Sequence, residues 1–190
     1  MSPTTTPRSR RGPLIQTLRT AGEIAVRLGR TVLDDLAVKH QWPSRRFARK
    51  QTAGLELLLP FGMDEVVGRI AGALREQGFG ILTRIDVHTI LQEKLGVAFR
   101  PYLILGACNP ALAHRALSTS AEAGLLLPCN ITVEQLTARH TVVRIANPDV
   151  MLQVGALGMN PELRAVATEA TRRLWLVADA LRAGPPSTTA

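Results

Sequence analysis

From residue 54 onward the spacing of apolar residues keeps changing between two and three-to-four, and nearly every change is marked by glycine or by an Asn-Pro pair. A chain that mixes the two periods in this way is expected to pack a sheet and helices into one core. LELLL at 55–59 is a short apolar strand closed by Pro60. Asp64 opens a helix in which Val66, Val67, Ile70, Ala73 and Leu74 share a face, ending at Gly78. FGILTRI, 79–85, predicts a second strand, and a helix from Val87 to Leu95 stops at Gly96. PYLILGA, 101–107, is a third strand.

The second half has the same punctuation. Asn109-Pro110 is an N-cap and first-turn pair ahead of the short helix PALAHRAL. GLLLPCNITVEQL and RHTVVRIA predict two strands joined around 134–139 as a hairpin. Strict alternation puts Leu125, Leu127, Cys129, Ile131 and Val133 on one face, and Leu126, Pro128, Asn130, Thr132 and Glu134 on the other. Asn147-Pro148 starts a turn or short helix. Asn160-Pro161 opens a long helix with Leu163, Val166, Ala167, Ala170, Leu174, Val177, Ala178 and Leu181 inward. The expected fold is α+β, a mixed or antiparallel sheet with helices on one side.

Charge separates a further segment. Residues 1–50 hold 11 of the 23 Lys and Arg but 3 of the 15 Asp and Glu, so the whole formal charge of +8 lies there and the remainder is balanced. Leu14, Leu18, Ala21, Ala25, Leu28 and Val32 give that segment an amphipathic helix to about Val38, followed by the basic linker QWPSRRFARKQTAG. The domain plan is a basic arm over 1–53, an α+β core over 54–155, and a C-terminal helix and tail over 156–190. Three uses of the arm (14–50) stay open: packing on its own domain or a partner subunit, an anionic membrane surface, and nucleic-acid phosphates. Aromatics near it are confined to Trp42 and Phe47, which gives base stacking little to work with.

The chain has two cysteines, Cys108 and Cys129, each followed by asparagine. With no secretory pattern at the N-terminus, free thiols in a cytoplasmic protein are expected, with peripheral membrane contact through the arm as the variant. Cys129 falls on the apolar face of its strand and reads as a small hydrophobe. Cys108 precedes a helix N-terminus, where backbone N–H groups lower a thiol pKa, and His114 lies one turn on as a base. Cys108, His114 and Cys129 are the candidate metal ligands, with His140 or Asp86 to complete a set, although C-x5-H-x14-C matches no finger spacing. Asp86 and Arg100 are candidates for a polar pair at the sheet mouth. No dinucleotide fingerprint, P-loop or nucleophile elbow occurs, and the cofactor is left unassigned.

Several motifs stand together in order: Gly78-Phe79-Gly80, Ile85-Asp86-Val87, Lys94 to Val97, Arg100-Pro101-Tyr102, Gly106 to Pro110 with Ala113 to Leu117, and Gly124 to Asn130. Over about 55–152 the chain therefore resembles the bacterial and archaeal family named "domain of unknown function 302". The resemblance implies an α+β fold that tends to dimerise, and no activity, so it carries over no catalytic residue. It marks Asp86, Arg100 and Cys108-Asn109-Pro110 as a signature surface. Arg84, where relatives often carry an acid, the basic arm and the long C-terminal helix are departures. The expected function is a non-catalytic dimeric module binding a small ligand or metal near Asp86, Arg100, Cys108, Asn109 and His114. The alternatives are a thiol-dependent enzyme using Cys108 and His114, and a tether through the arm.

Overall fold

A computed structural model describes residues 53–183 of the chain. The expected amphipathic arm, its helix and its basic linker up to residue 52 lie outside the described residues, as does the tail from 184. Five strands form one fully antiparallel sheet: β1 (Gly54–Leu59), β2 (Gly80–Asp86), β3 (Tyr102–Cys108), β4 (Cys129–Thr137) and β5 (His140–Ala146), in the spatial order β1-β5-β4-β3-β2. The helices are α1 (Met63–Glu76), α2 (Val87–Leu95), α3 (Pro110–Thr119), α4 (Pro148–Met151) and α5 (Pro161–Ala183), with 3-10 turns at Ala121–Leu126 and Gly155–Met159.

Local chemistry accounts for most boundaries. Asp64 and Glu65 sit in the first turn of α1, where they complement the helix dipole, and the chain leaves α1 through Gly78 at φ +75°. Gly96, at φ +67°, ends α2. α3, α4 and α5 each begin with Asn-Pro, and each asparagine Oδ1 accepts a backbone N–H of the first turn, from Leu112, from Asp149, and from Glu162 and Leu163 respectively.

One face of the sheet is the core. Leu55, Leu57 and Leu59 of β1, with Leu103, Leu105, Ile131, Val133, Val143 and Ile145, pack against Val66, Ile70 and Leu74 of α1 and Leu174, Val177 and Leu181 of α5. All eight α5 positions expected inward are buried. This burial, at about 25 cal/mol per Å² of apolar surface, is what holds the two long helices on the sheet. A smaller cluster of Leu112, Ala116, Ala123, Leu157, Leu163 and Val166 joins α3, the 3-10 turns and the start of α5.

The stretch GLLLPCN departs from its expected strand. Residues 124–126 belong to a 3-10 turn, Leu125 is 82% exposed, and the strand starts only at Cys129. Pro128 directly precedes β4 and lacks the N–H a ladder needs, so the alternation holds only from Cys129, where Cys129, Ile131 and Val133 are buried as expected.

Candidate functional site

Where the sheet core meets the smaller cluster, a cavity of about 40 Å³ opens at the Cys108 end of β3. Phe79, Ala107 and Cys129 form its sheet side, and Leu112, Ala116 and Val166 its helical side. Pro148, Met151 and Leu152 of the α4 segment also reach it. Asn109 is the one amide side chain in the lining, and no acid, base or hydroxyl lines it.

Asn109 is buried and occupied. Its Oδ1 accepts from Leu112 N at 3.1 Å and its Nδ2 donates to Gln77 O at 3.4 Å. Arg173 Nη1 donates to the same carbonyl at 3.4 Å. A Cβ on Gly78 would stand 3.0 Å from Asn109 Nδ2, so both the positive φ and the close approach require glycine there. The Gly78 turn and the Asn109 cap are thus one corner, and it fixes where β3 hands over to α3.

Both cysteines line this cavity and both are free. Cys129 stands opposite Ala107 in the β3–β4 register, which places Cys108 one residue further along the neighbouring strand. Burial pushes the half-buried Cys108 thiol up from its ordinary value, the opposite direction to that expected from a place at the α3 N-terminus. Burial, and then the proximity of Cys108, push Cys129 up to about 11. Both are therefore neutral thiols near pH 7. Alkylation of the native chain with iodoacetamide, followed by peptide mass spectrometry, is expected to modify Cys108 slowly, with a rate still climbing above pH ~8.5, and to leave Cys129 unmodified. A Cys108 midpoint below pH ~7.5 would restore the thiolate reading.

The other sequence candidates lie elsewhere. His114 is exposed on α3 and does not line the cavity. Asp86 and Arg100 belong to the opposite end of the sheet: Gly80 pairs with Cys108, whereas Asp86 pairs with Leu103, five residues or ~17 Å along β3. Nor do Asp86 and Arg100 pair with each other. Arg84 Nη2 donates to Asp86 Oδ1 at 2.9 Å, while Arg100 Nε donates to Glu134 Oε1. Among the described residues, no three His, Cys, Asp or Glu side chains group as a metal site, so Cys108, Cys129 and His114 remain two cavity thiols and a surface imidazole.

Sequence reasoning missed a charged chain on the second face of the sheet. Glu134, 6% exposed, accepts from Arg100 and, at 2.6 Å, from Arg144 Nη1, and Arg144 Nε donates to Glu56 Oε2 at 2.6 Å. Arg100 also lies over the Phe99 ring, 4.6 Å from its centroid. Alternation placed Glu134 on this face correctly, but the partners need the register that pairs Glu56 with Arg144.

The family model described as "Domain of unknown function DUF302" matches residues 56–181, a span that runs through most of α5. The crystal structure of an uncharacterized conserved DUF302 protein from Bacillus stearothermophilus is similar to this chain, with 30% identity and a TM-score of 0.60 over 67% of this chain and 97% of that one. Comparison with curated proteins yields no match. Among the described residues no helix is long and apolar enough to cross a membrane.

Proposed function

The chain belongs to the DUF302 family, and from that premise, which supplies a fold and no reaction, we propose that it is a binding module without catalysis that takes a small apolar ligand in the cavity beside Cys108. The lining carries the reading. Its titratable groups are two thiols, both driven toward the neutral form, so the cavity offers apolar contact and two soft, uncharged sulfur atoms instead of a base or a nucleophile. A polar ligand group would find little to bond there, because the lining's single amide, Asn109, already serves Leu112 and Gln77 with one acceptor site and one N–H.

Xenon, with benzene as a larger second probe, suits a test of this lining, since apolar cavities accept such molecules. In a methyl-resolved NMR titration of the full chain, either probe is expected to shift Leu112, Leu126, Met151 and Val166, with little change elsewhere. Ala113→Leu, at a half-buried lining position, is expected to cut the shifts severalfold. Shifts that are absent at saturating probe, or scattered over the fold, would defeat the reading. Native mass spectrometry of the purified full chain then identifies any co-purifying ligand.

A further inference from the structure

The chain's two cysteines sit where neighbouring strands end and begin: Cys108 is the last residue of β3 and Cys129 the first of β4. The β3–β4 register sets Cys129 opposite Ala107. Opposite Cα atoms in an antiparallel ladder stand ~4.5–5.5 Å apart and one step along a strand adds ~3.3 Å, so the Cys108 and Cys129 Cα atoms are ~6 Å apart. That separation lies within the ~4.4–6.8 Å that a disulfide spans. Inside a ladder a one-step offset sends side chains to opposite faces. β3, however, ends at Cys108, where the chain turns into the Asn109 cap, and both cysteines border the same cavity. The void of about 40 Å³ beside them leaves the sulfur atoms room to change rotamer. The raised Cys129 thiol, to which Cys108 contributes, reflects the same proximity.

The pair is asymmetric. Cys129 is buried, whereas Cys108 is partly exposed and its partner on β2 is Gly80, where even an added Cβ would meet nothing within 4 Å. A small oxidant therefore reaches Cys108 first. We propose that Cys108 and Cys129 form a reversible dithiol–disulfide couple, in which a hydroperoxide oxidises Cys108 and Cys129 resolves it. The Cys108 thiolate attacks the hydroperoxide: an S–O bond forms, the O–O bond breaks, and the departing hydroxide or alkoxide takes up a proton. The sulfur gives up two electrons and becomes a sulfenic acid. The Cys129 sulfur then attacks that of Cys108, an S–S bond replaces the S–O bond, and the released hydroxide leaves as water with the Cys129 proton. Both thiols are neutral near pH 7, so the reaction is expected to be slow and to quicken as pH rises. The cross-link forms or fails whether or not the cavity takes a ligand, so it does not rest on the binding reading.

The test treats the folded full chain with hydrogen peroxide at pH ~8, blocks remaining thiols with iodoacetamide in urea, and maps peptides without reductant. The expected product is one peptide pair linked Cys108 to Cys129 within a single chain, about 2 Da lighter than the dithiol and reopened by dithiothreitol. The oxidised chain is expected to melt cooperatively and no lower than the reduced one, because the bond closes a loop without displacing the core. Cys129→Ala is expected to leave Cys108 as a sulfenic acid that dimedone labels at least tenfold more than in wild type. Cys108→Ala is expected to leave Cys129 reduced through the same treatment. Should a variant fold poorly, the peptide map of the wild-type chain decides alone. A wild-type chain that keeps both thiols, collects sulfinic acid at Cys108, links only to other chains, or loses its cooperative melt on closing would overturn the proposal.

Discussion

Gly106→Ala is expected to destabilise the protein by about 3 kcal/mol, a fall of roughly 10 °C in Tm. Gly106 sits within β3, and a Cβ there would collide with Thr83 Oγ1 on β2 and with the ring of Pro128. Thr83 is exposed and can turn its hydroxyl aside, but the Pro128 ring cannot yield cheaply, because it is fixed to the backbone that enters β4. Gly72→Ala is the matched control, because a Cβ at that α1 position meets nothing within 4 Å and is expected to stabilise by ~0.8 kcal/mol. Thermal melts of the pair decide the matter: a Gly106→Ala protein as stable as wild type would mean that the β2–β3–Pro128 packing is looser than described.

Glu134→Gln is expected to cost about 2 kcal/mol at pH 7, since it removes the charge from a buried carboxylate that accepts from two guanidinium groups. The figure lies below the ~3–5 kcal/mol of a fully buried broken pair because Arg100 and Arg144 are partly hydrated. Arg100→Ala, at the exposed end of the chain of charges, is expected to cost under ~1 kcal/mol. Burial alone would raise the Glu134 pKa, but the hydrogen bonds from Arg144 and Arg100 outweigh it and hold the carboxyl below its ordinary value. A carboxylate lowered by folding contributes stability above the unfolded pKa of ~4.3 and loses it as pH falls through the folded value. The difference between wild type and Glu134→Gln is therefore expected to be flat from pH 8 to about 5 and to shrink below pH ~4. Urea melts at pH 7 and pH 3 test this, and an equal difference at both would refute the assignment.

Much of the architecture was legible in sequence because its punctuation is local. Gly96 and the three Asn-Pro pairs act within a single turn, and the α5 stripe needs only the 3.6-residue period. The exception, 124–128, is also instructive. Leucines preceding Pro128 alternate well enough to imitate a strand, but the proline has no N–H for a ladder. The site was half legible. Cys108, Cys129 and Asn109 do meet at one cavity, whereas Asp86 and Arg100 were grouped with them only because short sequence motifs give no distance along a strand. The walls from α4 and α5, like the Glu56–Arg144–Glu134–Arg100 chain, depend on contacts between residues far apart in the chain.

The strand order β1-β5-β4-β3-β2 has a consequence for synthesis on the ribosome. Among the described residues β1 emerges before the other strands, yet its only ladder partner there is the last, with Leu59 paired to Thr141, 82 residues later. At roughly 5–20 residues per second that partner follows some 4–16 s behind. Throughout that interval GLELLL is an apolar segment without its β5 partner, the kind of stretch that chaperones and misassembly compete for. The sheet is completed from the wrong end of translation, so a nascent chain arrested before residue 141 is expected to hold β1 unpaired however well its helices have formed.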